Sequence, residues 1–105
     1  MDVNEQNWDA EVMQASGLVL VDFYATWCPP CNALKPILTV LETKNQDKLK
    51  IVKMNTDENS ITATKYNVAA LPTLVFFKNG EVLQTLVGLQ NEAKLQQVID
   101  SFASV

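Results

Sequence analysis

Residues 18–25, LVLVDFYA, constrain the fold of this chain more than any other stretch. Successive positions are apolar, several of them β-branched, so both faces of the strand they form must be covered. A strand covered on both faces belongs in the middle of a sheet with helices packed above and below. Asp22 is the one charge in the run, and the run is far too short to cross a bilayer.

The remaining segments supply the layers such a strand needs. LKIVKMN (49–55) reads as a second strand. TLVFF and VLQTLVG flank KNG, a hairpin signal with Asn79-Gly80 at its tip. NWDAEVMQASG predicts a helix capped by Asn7, with Asp9 and Glu11 in its first turn and Gly17 as its stop. From the cysteines to Thr43, Leu34, Leu38 and Leu41 keep helical spacing, and Pro36 predicts a kink. SITATKYNV predicts a short helix closed by Asn67, and 92–102 a last one with Leu95, Val98, Ile99 and Phe102 on one face. The expected architecture is α/β: one domain over 1–105, a central mixed sheet with helices on both faces.

Charge narrows the function. Eight lysines face twelve acids, for a net charge of −4, and there is no arginine. Such a chain is a poor candidate for nucleic acid or an anionic membrane. DVNEQNWDAEV after Met1 has neither the basic nor the apolar region of a secretory signal, so a reducing cytoplasm is the expected location.

The two cysteines, Cys28 and Cys31, leave three readings open. As a staple their disulfide closes almost nothing, contributing about 2 kcal/mol against about 3 for a fifteen-residue loop. As a zinc site they fall short, because four ligands are wanted and the chain offers two cysteines and no histidine. As a redox pair they fit better. Thiols three residues apart at a helix start are near enough to bond and separate locally. With Cys28 as N-cap, the helix dipole favours its thiolate by about 0.3–1 kcal/mol, and by up to about 2 when partly buried. Pro29 and Pro30 then fill the first two helical positions, where a missing N–H costs no ladder bond, and Cys31 keeps the N–H that reaches the Cys28 sulfur. Cys28 is the expected nucleophile and Cys31 the resolving thiol. Asp22 is the candidate proton acceptor, its pKa raised by burial. The alternative is a buried acid satisfied by structure, above all by Lys53, the lone charge in IVKMN.

VDFYATWCPPC, KYNVAALPTLVFFKNGE and Val87-Gly88 together resemble the thioredoxin family, in order and spacing, over essentially the whole chain. The resemblance implies the thioredoxin fold with a short first strand, a cis Leu71-Pro72 bond, and a Leu71 backbone open to an incoming peptide. It implies a docking surface of Trp27, Pro29, Pro30, Leu71, Pro72, Val87, Gly88 and Leu89 beside the thiols, with Lys53 tuning Asp22. Pro29 stands where the family commonly has glycine, Asn32 where lysine or arginine is common, and Ala70 where glycine or serine is frequent. Pro29 and Asn32 are expected to alter the thiol pKa and potential. The implied activity is protein-disulfide reduction through a reversible Cys28–Cys31 disulfide, with no metal and no bound cofactor. The implied partners are disulfide-containing client proteins and an NADPH-dependent thioredoxin reductase, for a monomer binding neither nucleic acid nor membrane. The rival readings are an oxidase or isomerase on the same fold, and a docking subunit indifferent to its thiols.

Overall fold

The computed structural model of the protein describes residues 1–103. In chain order a π-helical turn, Asp9–Met13, precedes β1 (Leu18–Tyr24), α1 (Pro29–Lys44), β2 (Leu49–Asn55), α2 (Ser60–Lys65), β3 (Thr73–Lys78), β4 (Glu81–Val87) and α3 (Glu92–Ala103). The sheet runs β2-β1-β3-β4, with β2 parallel to β1 and the others antiparallel to their neighbours. The apolar run 18–24 is thus bonded on both edges.

Its two faces bury different layers, because alternate side chains point to opposite sides. Leu18 and Leu20 pack with Leu34, Leu38 and Leu41 of α1 and with Leu95, Val98 and Ile99 of α3. Val19, Val21 and Phe23 pack with Trp8, Val12 and Ala63 on the other side, where the rings of Trp8, Phe23, Tyr66 and Phe77 meet. Asp22 and Tyr24 share the α1 side with Leu18 and Leu20. The helices lie on both faces of a mixed sheet, as the pattern of 18–25 required.

The expected helix over Asn7–Gly17 is corrected. Its regular part is the π-helical turn, in which the Gln14 N–H donates to the Asp9 carbonyl five residues back. Asn7 does not cap it. The Asn7 side chain accepts from the Asn4 N–H at 2.7 Å, while the Asn4 side chain accepts from the N–H groups of Gln6 and Asn7 at 2.9 Å. The reciprocal cap therefore sits one turn earlier, closing the Asn4–Asn7 turn. Gly17, at φ +81°, serves the entry to β1. The first strand is a single bridge, Asp2 to Lys53, held by Val3 N–H to the Lys53 carbonyl and Lys53 N–H to the Met1 carbonyl.

α1 runs on through Pro36, whose missing N–H leaves the Asn32 carbonyl without its ladder donor. Asn67 closes α2 at φ 59°, and Asn79 (φ 53°) with Gly80 (φ 79°) makes the hairpin turn between β3 and β4. A Cβ on Gly80 would also lie 3.2 Å from the Met13 carbonyl oxygen, whereas one on Gly17 would meet open space. Each Gly→Ala change is expected to cost about 1–2 kcal/mol for the left-handed backbone, with Gly80→Ala the larger loss. Urea unfolding of the two variants measures this, and equal costs would remove the steric contribution assigned to Met13.

Candidate active site

β1 delivers the chain to the site. After Tyr24, buried Ala25 and the turn through Trp27 lead straight into α1, with the Cys28 N–H donating to the Ala25 carbonyl at 3.3 Å. Cys28 is the N-cap, with extended backbone (φ −94°, ψ 108°) and a sulfur that accepts from the Cys31 N–H at 3.3 Å. Its carbonyl takes the first helical bond, from the Asn32 N–H, and Pro29 and Pro30 fill the opening positions. One sulfur therefore satisfies a helix donor that the prolines do not compete for, at the positive end of the helix dipole. Cys28 and Cys31 form a disulfide with their Cα atoms 5.2 Å apart. Asn32 donates to the Thr26 carbonyl, tying the turn to the helix it precedes.

Both cysteines are buried, Cys28 at 3% and Cys31 at 1% exposure, but Cys28 alone of the two lines a groove. That groove, about 430 Å³, is walled by Trp27, Pro29 and Pro30 on one side and by Thr56 and Val68–Leu71 on the other. None of its lining residues is charged. The cis Leu71-Pro72 bond shapes the second wall, braced by Thr73, whose hydroxyl donates to the Ala70 carbonyl at 2.6 Å. Among the described residues, the Leu71 N–H and C=O make no hydrogen bond, so this stretch of backbone before β3 is open to pairing.

The expected docking surface is thus divided. Trp27, Pro29, Pro30 and Leu71 line the groove, whereas Pro72 is buried beneath it. Val87, the last residue of β4, and Leu89 just after it are exposed, and Gly88 between them ties this end of β4 to the site by donating its N–H to the Pro72 carbonyl at 2.8 Å. Sequence reading missed Thr56, Val68 and Ala69, and above all Asp57. The Trp27 indole N–H donates to Asp57 at 2.8 Å, which holds a side chain 66% exposed in one orientation. The pairing follows from the fold: β1 and β2 run parallel, so the loops after them emerge side by side at one end of the sheet.

Asp22 is 1% exposed, and among the described residues its Oδ1 has no hydrogen-bond partner. Burial pushes its pKa up from 3.8 to about 7; the charge of Lys53 pulls it down, that of Asp2 adds to the push, and that of Lys35 pulls it down. Lys53 is its register partner on β2 but forms no ion pair with it among the described residues. Lys53 acts on Asp22 through its charge, favouring the ionised form, while burial without a hydrogen-bond partner favours the protonated one.

A buried, disulfide-linked cysteine pair at a helix entrance, beside an uncharged groove and a cis-proline loop, defines a dithiol–disulfide exchange protein. The sequence model of the thioredoxin family matches residues 1–101. The chain is 45% identical over 96 residues to the thioredoxin of Bacillus subtilis, covering 91% of this chain and 90% of that protein. It is 40% identical over 101 residues to the thioredoxin of Pseudomonas aeruginosa, covering 96% and 94%. To the M-type chloroplastic thioredoxin of Pisum sativum it is 41% identical over 100 residues, spanning 95% of this chain but 58% of the pea protein. The chain belongs to the thioredoxin family, and it is a thioredoxin-type dithiol–disulfide oxidoreductase.

The raised Asp22 pKa makes stability depend on pH. Between about pH 4 and 7 the folded protein holds a proton that the unfolded chain has released, so stability falls as pH rises and levels off above 7. The full loss is on the order of 4 kcal/mol. Asp22→Asn, isosteric with the protonated acid, is expected to remove most of this dependence and to be the more stable protein at pH 8.5. Guanidinium unfolding of the oxidised proteins at pH 4.5 and 8.5 checks it. An Asp22→Asn protein with the parent's pH profile would show that another group carries the dependence.

Proposed function

We propose that this protein is a protein-disulfide reductase that works as one thioredoxin domain over residues 1–105, as a monomer, in the cytoplasm. The observation that carries the reading is the Cys28 sulfur, held at the entrance of α1 by the Cys31 N–H and facing the uncharged groove. A client disulfide laid along the Leu71 backbone meets the Cys28 thiolate there.

Cys28 attacks one client sulfur, the client S–S bond breaks, and a mixed disulfide forms as the first client thiolate leaves. Cys31 then loses its thiol proton to the Asp22 carboxylate and attacks the Cys28 sulfur. The second client thiolate leaves, and the Cys28–Cys31 disulfide closes. Two electrons have passed to the client, which gains two thiols once its sulfurs are protonated. Near neutral pH about half of the Asp22 population is ionised and able to accept, and Lys53 favours that form. Trp27, Pro29 and Pro30 shape the entrance, while Leu71, Val87, Gly88 and Leu89 hold the client and Pro72 supports the loop from beneath. The protein so becomes an electron carrier, re-reduced by an NADPH-dependent thioredoxin reductase.

Partner capture tests the order of events. Cys31→Ser is expected to accumulate a mixed disulfide with a disulfide-containing protein, seen by intact mass, and to lose turnover at least a hundredfold. Cys28→Ser is expected to form none. An adduct on the Cys28→Ser protein would reverse the two roles, and unchanged partner affinity and cellular function in the double variant would make the domain a docking module. An equilibrium potential near those of disulfide-forming catalysts, rather than below the glutathione pool, would point to an oxidase or isomerase.

A further inference from the structure

Lys53 stands between two acids. In the sheet it is the register partner of Asp22 on β1, and on its other edge it bridges to Asp2. Residues directly opposite one another in a sheet share a face. The three side chains therefore form a row, carboxylate–ammonium–carboxylate, on the α1 side, with the two acids' backbones about 10 Å apart, two strand spacings. Asp2 is held in this row twice: by the backbone bonds of Met1 and Val3 to Lys53, and by the Tyr24 hydroxyl, which donates to its Oδ1 at 3.2 Å. Tyr24 in turn packs against Ala25, Cys28 and Cys31. An exposed acid near the chain's beginning is so connected to both the proton acceptor and the wall of the thiol pocket.

We propose that Asp2 is a positioning residue for the thiol chemistry, a second carboxylate flanking Lys53 on the edge opposite Asp22, whose charge helps set how readily Asp22 takes the Cys31 proton. The charge of Asp2 repels an ionised Asp22. The direction of its influence on Asp22 agrees, raising the affinity for a proton. Burial and Asp2 also raise the Tyr24 pKa, as expected for a phenol donating to a carboxylate and facing Glu58 and Asp22 as well. The other charged neighbour acting on Asp22 is Lys35 of α1, while β3 places the apolar Leu74 opposite it.

The assignment rests on the proposed role of Asp22 only for its consequence, so it is tested by titrating Asp22 itself. In Asp2→Asn, the Asp22 carboxyl resonance is expected to titrate about half a pH unit lower than in the parent at low ionic strength. The displacement should shrink in high salt, since Asp2 is exposed. Asp2→Glu, which keeps the charge, is expected to stay near the parent midpoint. An Asp22 midpoint that does not move in Asp2→Asn, or moves up, would overturn the assignment. The pH–rate profile of disulfide reduction separates the two readings. A lowered Asp22 midpoint with an unmoved profile would keep the role of Asp2 on Asp22 and remove Asp22 as the proton acceptor.

Discussion

Because β1 is bonded along both edges and covered on both faces, its C-terminal end is a fixed point, and the reactive segment starts there. Ala25 to Trp27 leave no slack between the strand and α1, so the N-cap position falls on Cys28. The same confinement puts Asp22 in the interior, three residues before that turn, where water cannot relieve its charge. Cys28 and Asp22 are thus both placed by one strand. Moving either would mean repacking the centre of the sheet.

Capping does the second half of the work. A helix start has donors to satisfy, and here Pro29 and Pro30 carry none, so the Cys31 N–H is left for the Cys28 sulfur. A hydrogen bond to sulfur favours its charged form, and the helix dipole acts in the same direction. The groove around it is uncharged, and among the described residues the Leu71 backbone is unpaired, so the wall facing the sulfur offers apolar surface and free main-chain groups.

Much of this was legible from residue order, for identifiable reasons. The layers followed from the double-sided apolarity of 18–25, the hairpin from Asn79-Gly80, and the N-cap from Cys-Pro-Pro-Cys, since each depends on the residue's own backbone preferences or on burial. The helix at 7–17 was misread because Asn4 and Asn7 cap each other, and sequence alone does not say which of two nearby asparagines closes a turn. The groove's far wall was read from the family pattern for Leu71 and missed for Val68 and Ala69, small residues with no chemical signature of their own.

By itself, the sequence determined the central strand, the dithiol at a helix entrance and the presence of one acid inside an apolar run. These are local properties, set by side-chain volume, polarity and backbone freedom over a few residues. Only the tertiary structure decided what stands opposite what: Asp57 at the Trp27 indole N–H, Gly88 against Pro72, and Lys53 between Asp22 and Asp2. Those pairings come from strand register and from loops meeting at one end of a parallel pair. Register is a long-range property, fixed by how whole strands bury their faces together, and so no short stretch of sequence contains it.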